Sequence, residues 1–200
     1  MTGLDPNIDE LVEIAVIVTD YDLTPLHEGI DIVIKPDQSA LDHMNDFVRE
    51  MHAHSGLLEE IPNGVSVADA EYQALEYIER LIPGDQKPLI AGNTIGTDRS
   101  FLARYMPRLD AHLHYRSIDV SSIKELSRRW FPRAYFNTPE KHGGHRALAD
   151  IRESIQELSY YRQAVFRDDP GLSSSELSEI SAQITGVPGP EAEESASGLV

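Results

Sequence analysis

His145 and Asp150 are the pair with the clearest chemical potential, in Gly143-Gly144-His145-Arg146-Ala147-Leu148-Ala149-Asp150. An imidazole and a carboxylate could divide the work of proton acceptor and cation ligand. Two helical residues five apart differ by about 140° around the axis, so they cannot share a face. Joint action at one site therefore puts His145 on the glycine-flexed loop, with Asp150 pointing inward from the first helical turns. The competing reading is a surface histidine beside an aspartate that favours the positive end of a helix. A second set is Gly92-Asn93-Thr94-Ile95-Gly96-Thr97-Asp98-Arg99, where a short apolar strand runs into small polar residues and an aspartate opens the next helix. Sites of α/β sheets form at such strand ends, although Asp98 also serves as a plain helix cap. A third stretch runs from His112 to Asp119 and on to Ser121. His112 and His114 lack a third ligand at fixed spacing and read as surface histidines. Tyr115 and Arg116 place a hydroxyl beside a guanidinium fork, which suits a phosphate; surface packing is the alternative. His52, with His54-Ser55-Gly56, adds a polar cluster after a helix that by itself is only a loop.

These groups need a frame. Leu11–Thr19 is β-branched and apolar, as a buried strand should be. Gly29–Lys35 alternates, with Ile30, Ile32 and Ile34 on one face, and reads as its hairpin partner. Asp42–His54 is a mixed helix. Val67, Ala70, Ala74, Leu75, Ile78 and Leu81 recur at helical spacing, and Pro83-Gly84 ends that helix. Pro88–Gly92 is a short strand, Asp98–Tyr105 a helix, and Ser117–Val120 another strand. Ser122 with Glu125 reads as a capping box that opens a helix through Trp130. Leu148, Ile151, Ile155 and Leu158 form one apolar stripe on the last helix. A hairpin followed by alternating helices and strands predicts an α/β domain with a mixed sheet.

The composition narrows the possible functions. The 200 residues carry a net charge of −17, which excludes a basic coat that holds nucleic acid by counterion release. A nucleic-acid enzyme remains open, because bound divalent cations invert the local field. The chain has no cysteine, which excludes disulfides and thiolate-held metals. No apolar run reaches the roughly 20 residues of a membrane helix, and the first residues do not read as a signal peptide; the expectation is a cytoplasmic protein without membrane contact. Seven acids and no Lys or Arg fall in residues 168–200, which are rich in Ser, Gly and Pro and lack aromatics. That segment is expected to be a disordered acidic tail with at most a helical turn around Glu176–Ile184. Residues 1–167 then form the domain.

Together, the ordered blocks resemble the oligoribonucleases, a group of DEDDh 3′-to-5′ exonucleases with a ribonuclease-H-like fold. The blocks are Met1-Thr2-Gly3-Leu4-Asp5-Pro6, His52-Ala53-His54-Ser55-Gly56-Leu57, Gly92 to Arg99, His114 to Ser121, Lys124 to Trp130, and His145 to Ile151. The resemblance spans nearly all of residues 1–166. It implies a mixed five-stranded sheet flanked by helices. It also implies Asp98 and Asp150 as site aspartates, Asp150 binding one of two Mg²⁺ or Mn²⁺ ions, and His145 taking the proton from the attacking water. Short RNA, chiefly a dinucleotide, is the implied substrate. Leu4 would wedge against the bases and Phe47 would stand near a second aromatic contact. His52, Arg116 and Ser121 would grip the 5′ phosphate. Tyr115 would reach across a homodimer interface into the partner's site. Thr94 stands where the group has Ser and keeps the hydroxyl.

The group's first motif, Asp-any-Glu, immediately precedes Met-Thr-Gly-Leu-Asp, and this chain begins at that Met. Two ligands and most of the first, central strand are thus expected ahead of Met1. The 200-residue chain is expected to cleave poorly. Asp9, Glu10 and Glu13 belong to the next segment and are not expected to substitute. Two alternatives stand beside this reading: an exonuclease of longer DNA or RNA ends, and a catalytically dead nucleotide-binding dimer.

Overall fold

The computed structural model describes residues 1–140, 144–168 and 170–186. Gly143 of the glycine pair, and residues 169 and 187–200 of the acidic tail, lie outside the described residues. The chain divides into two units, residues 1–165 and 166–200.

In the first unit, β1 (Glu13–Val16) and β2 (Ile30–Val33) form the expected antiparallel hairpin, with Glu13 opposite Val33 and Ala15 opposite Asp31. Opposed residues share a face and neighbours alternate. Ile14, Val16, Ile30 and Ile32 therefore form one face, while Glu13, Ala15, Asp31 and Val33 form the other. The isoleucine face joins a core with Ala70, Ala74, Leu75 and Ile78. Two short helices follow, α1 (Gln38–His43) and α2 (Asp46–His54). They break the single helix expected over 42–54, because Asn45 caps α2 by accepting the Val48 N–H. Then come α3 (Leu57–Glu60), a 3-10 turn at Ile61–Asn63, and α4 (Val67–Leu81), which starts at the Ser66 cap.

β3 (Ile90–Gly92) leads into α5 (Ile95–Tyr105) and α6 (Pro107–His112). β4 (Ser117–Asp119) then returns parallel to β3, with Gly92 opposite Asp119. α7 (Val120–Trp130), α8 (Pro132–Phe136) and α9 (Ala147–Val165) complete the unit. The side chain of Asp119 accepts the Ser121 N–H at 3.2 Å and the Ser122 hydroxyl at 2.6 Å. α7 thus starts two residues before the expected Ser122 box, because the carboxylate at the end of β4 caps it first.

The architecture is α/β, as expected, but the described strands make two separate two-stranded ladders instead of one five-stranded sheet. No described strand joins the two ladders. The stripe on α9 also differs. Leu148, Ile151, Ile155 and Leu158 are only half-buried, and the buried positions are Glu157 and Tyr161. α9 packs on the Glu13–Asp31 face of the hairpin and along β3, so its inner face meets polar partners there.

In the second unit, α10 (Ser174–Thr185) covers the helical turn expected around Glu176–Ile184 and extends beyond it at both ends. Ser173 and Glu176 close a reciprocal capping box, and Gly186 at φ +66° ends the helix. Those local stop signals outweigh the acidic composition. No helix of the described residues is long and apolar enough to cross a membrane.

Candidate active site

The first nine residues fold into a tight loop around Asp9. Its carboxylate accepts the Thr2 hydroxyl at 3.0 Å and the Asp5 N–H at 2.9 Å. Tyr105 on α5 donates its hydroxyl to the Asp9 carbonyl at 2.8 Å, which pins the loop to the core. Leu4 is held outward at 78% exposure. α2 lies alongside, since His52 donates from Nε2 to the Met1 carbonyl at 2.9 Å. Phe47, one turn earlier on α2, is 76% exposed. Both side chains proposed to meet bases are therefore available to a ligand. A Cβ on Gly3 would fall on the Asp9 carboxylate. Gly3→Ala is expected to cost about 1–3 kcal/mol through overpacking, read as a lower melting temperature, and to weaken dinucleotide affinity by displacing Leu4.

His52 is buried, with Nδ1 lacking a partner, and burial holds its imidazole below the ordinary histidine range. Glu13 and His145 both act on it electrostatically. The Met1 amino group is buried beside Glu13, Asp98 and Asp9, and burial lowers it to about 6. The printed bonds tie His52 to the Met1 carbonyl and Glu13 to Arg146 and Ala147, the two residues after His145. Glu13 is the central residue that sequence reasoning set aside. Its signal was the single acid within an otherwise apolar strand.

Asp98 lies in the first turn of α5, and Thr94, not Asp98, occupies the cap position. Burial pushes the Asp98 carboxyl up. Thr94 has φ +54°, a conformation costing on the order of 1 kcal/mol for a residue with a Cβ. Its N–H is fixed there by Asp119 Oδ1 at 2.9 Å and Ser121 Oγ at 3.0 Å. Ser121 in turn donates to Asn93 Oδ1 at 3.1 Å. Asn93 Nδ2 bonds Ser154 and the buried Glu157 on α9, and Glu157 pairs with Lys124 on α7 at 3.1 Å. Asp150, Ser154, Glu157 and Tyr161 recur at helical spacing, so Asp150 lies on the α9 face that meets the end of β3. Asp150 itself is exposed. This polar stripe was the missed signal for Asn93, Lys124 and Glu157.

Tyr115 and Arg116 are exposed, and the Arg116 guanidinium lies 5.0 Å from the Tyr115 ring centroid. His114 stacks on Tyr115 at 4.5 Å and accepts the Arg116 N–H on Nδ1. Arg99 holds the carbonyls of His114 and Tyr115. His112 is half-buried, unlike the surface histidine expected, because α6 packs its ring inward.

On the far side of Glu13, Asp31 faces Arg146 and Glu60. Burial, with Glu13 beside it, pushes the Asp31 carboxyl up from 3.8 to about 6. A carboxyl raised by folding holds its proton more tightly in the native state. Its contribution is thus full below about 4 and lost as pH rises through about 6. Asp31→Asn is expected to be more stable than the parent at pH 7.5, by on the order of 1 kcal/mol after discounting for solvent screening. At pH 4 the two should melt together; thermal melts at both values check this.

Among the described residues, no three His, Asp or Glu side chains converge to hold a metal ion. Asp98 and Asp150 alone do not cage one.

The exonuclease family RNase_T matches residues 1–158. The oligoribonuclease of Leifsonia xyli subsp. xyli is 67% identical over 184 residues, covering 92% of this chain and 89% of that protein. That of Cutibacterium acnes is 54% identical over 186 residues, covering 93% and 92%. That of Mycobacterium ulcerans is 54% identical over 198 residues, covering 98% and 92%. With a family match across most of its length and relatives this similar from end to end, the chain belongs to the oligoribonuclease branch of the exonuclease family.

Proposed function

We propose that the protein is a 3′-to-5′ exoribonuclease that hydrolyses short oligoribonucleotides, chiefly dinucleotides, to mononucleotides. The observation that carries this is the seating of His52 on the Met1 backbone and of Glu13 on Arg146 and Ala147, next to His145, beside a loop that leaves Leu4 exposed to meet a base. In this reading His145 accepts a proton from the attacking water on an imidazole nitrogen. Leu4 and Phe47 hold the bases. His52, Arg116 and Ser121 take the 5′ phosphate, with Thr94 beside Ser121. Two Mg²⁺ or Mn²⁺ ions would supply Lewis-acid chemistry at the phosphodiester when bound, with Asp98 and Asp150 among their ligands. The described residues are two carboxylates short of such a site. In this reading an Asp-any-Glu strand directly ahead of Met1 would supply both.

The homodimer fits the exposed apolar surface of Tyr115, Leu126, Trp130 and Phe131 along β4 and α7. Tyr115 would reach the partner's site from there. A cytoplasmic location fits the sequence without a membrane helix.

The test is cleavage of a labelled RNA dinucleotide with Mn²⁺, by the 200-residue chain and by one preceded by the Asp-any-Glu strand. The longer chain is expected to be faster by at least about 100-fold, the scale of a lost metal-ligand set. Equal rates overturn the ligand assignment. Tight binding without cleavage by both establishes the dead nucleotide-binding dimer instead. A ten-nucleotide RNA cleaved as fast as the dinucleotide establishes an exonuclease of longer ends.

A further inference from the structure

Arg146 follows His145 directly, and its guanidinium is gripped from two elements. Nε donates to Glu13 Oε1 on β1 at 2.7 Å. Nη1 and Nη2 donate to the two oxygens of Glu60 on α3, at 2.8 and 3.0 Å. Nη2 also lies 3.6 Å from Asp31. The second oxygen of Glu13 accepts the Ala147 N–H at 2.8 Å. One carboxylate, with its side chain only 5% exposed, thus fixes both the arginine and the first amide of α9. His145 itself has φ +49°. That conformation is sparse for a residue with a Cβ and persists where the surroundings hold it.

Stability alone does not explain the arrangement. Three carboxylates face one guanidinium. A pair selected for stability would not carry the two extra acids. The fork geometry is what all the bonds share. Arg146 meets Glu13 and Glu60 along different directions of one rigid plane, which a lysine ammonium cannot reproduce.

We propose that Arg146, clamped between Glu13 and Glu60, is a positioning residue that sets the left-handed turn at His145 and so the place of its imidazole. The inference rests on the assignment of His145 as proton acceptor. The clamp falls on the very next residue and on the very next amide after it. The histidine end stays tied to β1, the strand whose Glu13 also acts on His52.

The experiment compares Arg146→Lys, His145→Ala and the double variant in dinucleotide cleavage by the chain preceded by the Asp-any-Glu strand. Amide exchange at Ala147 is read in parallel. Arg146→Lys is expected to lower kcat about 10–50-fold, to leave KM within about threefold, and to speed Ala147 exchange at least about tenfold. On the His145→Ala background it is expected to change kcat less than about twofold, because an effect that acts through His145 has nothing left to act on. The same loss on both backgrounds overturns the proposal. So does a normal kcat for Arg146→Lys when His145→Ala is inactive. A normal rate for His145→Ala instead overturns the catalytic assignment beneath it, and is read separately. Glu60→Gln removes one arm of the clamp while sparing the Glu13 bonds. Should Arg146→Lys not fold, Glu60→Gln is expected to show a smaller loss with the same dependence on His145, and additive loss overturns the proposal.

Discussion

His145→Ala, made in the chain that carries the Asp-any-Glu strand, is expected to slow dinucleotide cleavage by about 10²–10⁴-fold, the usual worth of a general base. Dinucleotide affinity is expected to stay within about threefold, because the proposed base contacts are made by Leu4 and Phe47 and not by His145. Asp150→Asn and Asp98→Asn are expected to lose as much rate. They should also shift the Mn²⁺ concentration at half-activity upward, which His145→Ala should leave in place. Rates across a Mn²⁺ titration separate the two roles. A His145→Ala protein with undiminished turnover removes the base from the mechanism. An Asp150→Asn protein with an unchanged metal requirement removes Asp150 from the ligand set.

The outcomes are unequal in what they say about the fold. His145 is exposed, so its truncation should leave the melting temperature within about a degree or two. Asp98 is half-buried with its carboxyl raised, and its replacement by the neutral Asn relieves a buried charge. Asp98→Asn is therefore expected to melt no lower than the parent. A variant that is inactive yet equally stable locates its side chain in the chemistry and not in the scaffold.

Much of this was legible in the residues. The hairpin follows from the alternation of Ile30, Ile32 and Ile34 against Asp31. α4 follows from its six apolar positions at helical spacing and from Pro83-Gly84. Both signals are local, and local pattern decides such elements. What was not legible depends on pairing between distant segments. Glu13 looked like an incidental acid in a strand, because its partners Arg146 and Ala147 lie 133 and 134 positions away. The α9 stripe looked apolar because Leu148, Ile151, Ile155 and Leu158 satisfy the helical period. Asp150, Ser154, Glu157 and Tyr161 satisfy it equally well, and only the docking of α9 on the β3 end selects between them. Thr94 looked like one polar residue among several. Its left-handed backbone is imposed by Asp119 and Ser121, both more than 20 residues on. α10 was underestimated for the opposite reason, since composition averaged over a tail hides a capping box written in four residues.

Lys124→Met is expected to cost about 2–4 kcal/mol of stability. Glu157 is 4% exposed and bonds Lys124 Nζ and the Asn93 amide. Removing the cation takes the opposite charge away from a buried carboxylate, and a broken buried pair costs about 3–5 kcal/mol when both partners are enclosed. The Lys124 side chain is 34% exposed, which lowers the expectation. The double change Lys124→Met with Glu157→Leu removes the stranded charge together with its partner. It is expected to recover most of the loss, since replacing both members of a buried pair by apolar groups is often near neutral. Function should not recover with it. Asn93 uses Glu157 and Ser154 to fix its amide, and its Oδ1 holds the Ser121 hydroxyl that fixes Thr94. The double variant is therefore expected to fold well and to bind a dinucleotide about three- to tenfold more weakly, at one hydrogen bond of net worth. Thermal melts and dinucleotide titrations of the single and double variants check both halves. A double variant as unstable as Lys124→Met shows that Glu157 is not the origin of the loss. One with parental affinity shows that the strained turn at Thr94 does not depend on α9.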